Sequence, residues 1–112
     1  MTLSPDPNDL KGRALDLSKL AEYQPGAVVS REILNKGIGT LTVFAFDAGQ
    51  GLSEHTAPFD ATVYIVDGEA SITIDGKAHT VKKGELVIMP AGRPHSLKAL
   101  ERFKMLLIMI RA

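Results

Sequence analysis

From Val28 onward the chain is cut at short intervals by turn signals, and this punctuation restricts the fold more than any other feature. Asn35-Lys36-Gly37, Ala48-Gly49-Gln50-Gly51, Asp67-Gly68, Asp75-Gly76 and Lys82-Lys83-Gly84 separate one apolar or alternating segment from the next. Glycine permits positive φ and Asn or Asp tolerates it, so such sites reverse the chain. The segments between them are 28–34, 39–47, 52–56, 61–66, 70–74, 78–81, 86–89, 95–99 and 103–111. They are rich in β-branched and aromatic residues, which suit a pleated, half-buried surface. Ala70, Ile72 and Ile74 alternate with Ser71 and Thr73, as in a strand with one buried face. Asp75-Gly76 reads as a hairpin. By parity from Ala61, Val63 and Ile65 face inward, and Tyr64 and Val66 outward. Residues 103–111, FKMLLIMIR, are apolar on both faces, which predicts a central strand. About nine or ten short strands with turns roughly every 8–12 residues predict an all-β sandwich or barrel. No helical period long enough for a βαβ unit interrupts them.

The first 27 residues read differently. Residues 1–12 carry two prolines with Asn, Asp and Gly, the composition of a loose arm. Residues 14–23, ALDLSKLAEY, predict a short strand leading into one helical turn, with Asp16 and Ser18 as cap or turn residues. The expected organisation is an N-terminal arm over 1–27 and one β domain over 28–112.

Composition narrows the function classes. Thirteen Lys and Arg balance thirteen Asp and Glu, so no basic excess is available for nucleic acid. There is no cysteine, hence no disulfide, thiolate site or cysteine nucleophile. No apolar run approaches the roughly 20 residues of a membrane span. The start lacks the basic and apolar regions of a secretory signal, and the expectation is a cytoplasmic protein. Zero net charge and an apolar outer face around Tyr64 and Val66 predict a homodimer. Neither a Gly-rich phosphate loop nor a nucleophile elbow is present.

Chemistry concentrates in GELVIMPAGRPH, residues 84–95. A short apolar strand runs into Pro90, Gly92 and Pro94, and the stiff turn they form delivers His95 to a defined place. The other two histidines are His55 and His79. His55 and His95 each follow a Gly-containing turn and can converge at one mouth of an antiparallel barrel. His79 shares parity with core residue Val81 and reads as a partly buried structural imidazole. Met89, Met105, Met109, Phe44, Phe46 and Tyr64 read as core or interface.

Residues 84–95 are similar to the second signature of the cupin superfamily: Gly84, five residues, Pro90, one residue, Gly92, two residues, His95. The family then has Asn four positions on, where this chain has Ala99. The first signature is matched in spacing by Gly49, His55, Ala57, Ala61 and Gly68. The resemblance covers about Val28 to Met109. It implies a double-stranded β-helix, or jelly-roll barrel, of the small stand-alone cupin kind. In the family three His and one Glu hold a divalent metal. Carried over by position, His55 and His95 remain, while Ala57 and Ala61 stand where a second His and the Glu would be. Asp60 is the nearest substitute carboxylate, but it lies one residue from the Glu position and so on the opposite face of a regular strand, unless a bulge turns it inward. Its competing role is to accept backbone hydrogen bonds at the turn. Glu54, beside His55, has the same parity conflict.

The resemblance thus implies a small-molecule-binding barrel that holds Fe, Zn, Mn or Ni weakly through His55 and His95. The alternative is a metal-dependent cupin enzyme of the dioxygenase or isomerase type. The two alanines favour the binding module.

Overall fold

The structure is a computed structural model and describes residues 10–111. The proposed arm over 1–12 therefore lies mostly outside the described residues. Nine strands follow a single 3-10 turn at Leu17–Lys19: β1 Val28–Lys36, β2 Gly39–Phe46, β3 Gly51–His55, β4 Phe59–Asp67, β5 Glu69–Ile74, β6 Lys77–Lys82, β7 Leu86–Met89, β8 His95–Lys98 and β9 Phe103–Arg111. They form two antiparallel sheets, ordered β1-β2-β9-β4-β7 and β3-β8-β5-β6. This is the all-β sandwich expected from the turn pattern, with the jelly-roll form that the resemblance implies.

Strand positions agree with the sequence reading to within a few residues. β9 is central, between β2 and β4, as its two apolar faces require. Val63 and Ile65 are fully buried, and Tyr64 and Val66 lie half-buried on the other face. The Asp75-Gly76 turn has positive φ at both residues, 51° and 77°, the left-handed pair that matches strand twist in a two-residue hairpin. Asp67-Gly68 behaves differently. It joins β4 to β5, which belong to different sheets, so it is a crossover between layers. Gly68 has φ 71° and lies flat against the backbone of Arg102 and Phe103, where a Cβ would collide.

Residues 14–23 hold no strand. They form only the 3-10 turn, capped by Asp16, whose Oδ1 accepts from the Ser18 amide at 3.0 Å. The segment pairs with neither sheet, and the apolar side chains Leu17, Leu20 and Tyr23 find burial on a sheet face instead. With Ala21 they cover Val43 and Ala45 on the outside of the first sheet. The segment is tied down by polar contacts. The buried Lys104 ammonium donates to the Ser18 carbonyl at 2.6 Å, and Tyr23 donates its hydroxyl to Asp67 at 2.6 Å. The Gly26 amide donates to Asp47, which also pairs with Arg102 at 2.8 Å.

The principal core lies between the sheets. Phe46 and Phe103 stack there with ring centroids 4.4 Å apart, among Val63, Ile65, Ile72, Met105 and Leu97. It fills one end of the sandwich and leaves the other end to a small cavity.

Candidate functional site

The turn ahead of β8 is held from several sides. Gly92 has φ 76°, and Arg93 N–H donates back to the Pro90 carbonyl at 3.3 Å. Gly92 N–H donates to the Ala57 carbonyl at 2.8 Å, and Ala91 N–H to Asp60 Oδ1 at 2.9 Å. Asp75 N–H donates to the Pro94 carbonyl at 3.0 Å. The loop that prolines and glycine shape locally is thereby pinned to the loop that follows β3. The Asp60 carboxylate is solvent-exposed and spent on this anchoring bond.

His95 emerges from this turn buried, with 4% of its surface exposed. His55 is its register partner on β3 and is exposed at the mouth. The register slips between Leu52 and His55, so Ser53 and Glu54 together bulge opposite Ser96. The bulge puts Leu52 and His55, three residues apart, on the same cavity wall. In a regular strand they would face opposite ways.

The rings meet edge to face, with centroids 4.4 Å apart and Nε2 to Nε2 3.2 Å. His55 Nδ1 bonds the Ser53 carbonyl at 2.8 Å, and His95 Nδ1 the Arg93 carbonyl at 3.1 Å. A carbonyl only accepts, so both Nδ1 atoms carry hydrogen, and in the neutral rings both Nε2 atoms present lone pairs to each other. Two facing lone pairs at this distance repel until a cation, a proton or a metal ion, is shared between them. Burial lowers the His95 pKa from its ordinary 6.5, against the opposing pull of the Arg93 carbonyl and with a smaller lowering from His55. A neutral imidazole with its other nitrogen fixed by a carbonyl is the usual state of a metal-ligating histidine.

Behind the pair is a cavity of about 40 Å³, lined otherwise by apolar side chains that include Ala57, Ala61, Met89, Met105 and Met109. A water needs roughly 10–15 Å³ of such space, so the cavity suits an ion with its immediate ligands or a few waters. His79 lies on β6 opposite Ile72 and does not line it. Among the described residues no three His, Cys, Asp or Glu side chains converge as a metal-holding group. The Nε2 atoms of the two imidazoles are 3.2 Å apart, the spacing of two ligands on one ion. Nitrogens bound tetrahedrally to one metal at about 2.0–2.1 Å stand roughly 3.3 Å apart.

The Asp60 anchor is the backbone-accepting role its place beside a Pro-containing turn gave it in the sequence. The bulge that re-aims His55 escapes a linear reading and had no signal.

Two antiparallel sheets around an internal pocket, with an imidazole pair at its mouth, define a small jelly-roll barrel. The chain belongs to the cupin domain family, whose profile matches residues 42–111. It is similar over its full length to a conserved protein of unknown function from Streptococcus pyogenes, at 36% identity and TM-score 0.89, covering 98% of that chain. A cupin 2 conserved-barrel protein from Leptotrichia buccalis is 41% identical over 87% of this chain, with TM-score 0.84. This chain covers 47% of that protein, about half its length. A cupin superfamily protein from Desulfitobacterium hafniense matches at 28% identity and TM-score 0.86 over 94% of this chain and 96% of that one. No curated protein matches the sequence significantly.

Proposed function

We propose that this cupin is a small-molecule-binding module whose pocket is anchored by His55 and His95, the pair that holds a metal ion and leaves its remaining positions to the ligand. The observation that carries this reading is the 3.2 Å approach of two Nε2 atoms whose rings are each locked by a carbonyl. Ala57 and Ala61 contribute no donor to the cavity they line, so an ion held here keeps positions free for an incoming molecule. The incomplete donor set favours binding over turnover, because catalytic zinc takes about three protein ligands and non-haem iron two His and a carboxylate. The small cavity admits the ion, and a larger ligand approaches from the His55 side, where the imidazole is exposed.

The test is elemental analysis and calorimetric titration with Zn(II), Ni(II), Mn(II) and Fe(II), on the wild type and on the His55→Ala/His95→Ala double variant. One equivalent bound by the wild type and lost in the double variant is expected. Equal uptake by both proteins, or failure of the wild type to bind any metal ion, hard or soft, overturns the reading.

We further propose that the outer face of the first sheet is covered by a second copy of the chain. Leu86 and Ile88 on edge strand β7, and Ile110 on β9, are each more than half exposed on that face. The segment at 17–23 covers only its other part, around Val43 and Ala45.

A further inference from the structure

Sequence and register place the chain's methionines unusually. The chain has four, and the three beyond Met1 all line the cavity behind the histidine pair. Met89 on β7 and Met109 on β9 are the direct cross-strand partners of Ala61 on β4, one on each side. Cross-strand partners share a face, with Cβ atoms about 4.5–5.5 Å apart. The position at which the resemblance implies a carboxylate is therefore an alanine bracketed by two thioethers. Met105, the fully buried partner of Ile65, completes the group. Apart from Met1 the chain has no other sulfur, since it has no cysteine.

The side chains lining this cavity that carry a donor atom are thus two histidines and three methionines, with no carboxylate among them. Donor softness selects the ion. Carboxylate and water suit Mg(II), Ca(II) and Mn(II), imidazole suits several transition metals, and thioether sulfur selects Cu(I). Cu(I) is also content with few ligands, so it does not demand the donors that Ala57 and Ala61 fail to supply. A small, largely apolar chamber disfavours an ion that must retain several waters.

We propose that the cavity is a cuprous site in which His55 and His95 bind through Nε2 and a thioether sulfur of Met89 or Met109 adds a third donor, leaving a position to the ligand, so that the protein takes a soft monovalent ion in preference to a hard divalent one. This rests on the reading that the histidine pair binds metal, and it adds the identity of the ion and the role of the methionines. Binding requires no redox step when copper is supplied as Cu(I).

The experiment is anaerobic titration of the full chain with Cu(I) against a chromophoric Cu(I) chelator, with Ag(I) as an air-stable soft probe and Zn(II) as the borderline comparison. X-ray absorption of the copper-loaded protein reads the donor atoms. The variants are Met89→Leu, Met109→Leu and the pair together, because leucine conserves volume and keeps the wall packed. Expected are one Cu(I) per chain, a copper–sulfur scattering shell, and a loss of Cu(I) and Ag(I) affinity of at least about tenfold in the double methionine variant, with Zn(II) affinity little changed. A nitrogen and oxygen shell alone, or Cu(I) affinity that survives both Met→Leu changes, overturns the proposal while leaving the histidine pair as a metal site. Failure of the wild type to retain Cu(I), Ag(I) or Zn(II) above the His55→Ala/His95→Ala variant overturns both. Thermal unfolding of each apo variant separates lost binding from lost folding.

Discussion

His55 and His95 are register partners whose Nε2 atoms face each other at 3.2 Å, yet one is exposed and the other 96% buried. Binding and stability should therefore separate between them. Each single alanine variant is expected to lose the bound ion. His95→Ala also opens a hole against Leu97 and Met105 and should cost about 1–3 kcal/mol of folding stability. His55→Ala, at the mouth, should stay within about 0.5 kcal/mol of the wild type. Denaturant unfolding of the apo proteins, alongside metal titration, reads both effects. Equal destabilisation would contradict the asymmetry.

Asp60 anchors the turn that precedes His95, through the bond its carboxylate accepts from Ala91 N–H. Asn retains a carbonyl oxygen at the same place and Ala does not. Asp60→Ala is expected to speed amide exchange across 91–95 and to weaken metal binding, whereas Asp60→Asn should largely preserve both. If Asp60→Asn lost the metal with exchange unchanged, Asp60 would be a ligand rather than a positioning residue.

Tyr23 sets a limit on alkaline stability. Burial and then its hydrogen bond to Asp67 raise the phenol well above its ordinary 10.0. Above pH 10 the unfolded chain gives up this proton while the folded chain keeps it, so stability is full below that pH and falls as pH rises further. Chemical unfolding between pH 8 and pH 11, values bracketing the free phenol, should show a decline that Tyr23→Phe flattens. A wild-type curve parallel to that of Tyr23→Phe would refute the linkage.

The apolar outer face makes a prediction about assembly. Light scattering at micromolar concentration should give twice the chain mass, and Leu86→Lys/Ile88→Glu should give a monomer with the fold unchanged by circular dichroism. Charges on an edge strand are a common means of preventing association, and the exposure of both side chains makes their cost to the monomer small. A monomeric wild type would refute the second copy.

The local chemistry of the chain determined most of the architecture. Turn residues such as Asp75-Gly76 act over two to four positions, and side-chain alternation acts over one strand, so hairpins, strand faces and the centrality of β9 are all legible in sequence. The stiff turn before His95 is equally local. Whether Asp67-Gly68 closes a hairpin or passes between sheets is not, because the same residue pair serves both uses, with positive φ at Asp75 and Gly76 in the hairpin and at Gly68 but not Asp67 in the crossover. Pairing between strands distant in sequence decided it: β4 bonds to β7 and β9 rather than to β5. The site depends on the same long-range order. A bulge visible only against β8 brings His55 onto the wall with Leu52, and only the register of β4 with β7 and β9 sets Met89 and Met109 beside Ala61. Residue types and turns are written along the chain, whereas the donor set of this pocket is assembled across it, by hydrogen-bond register between strands.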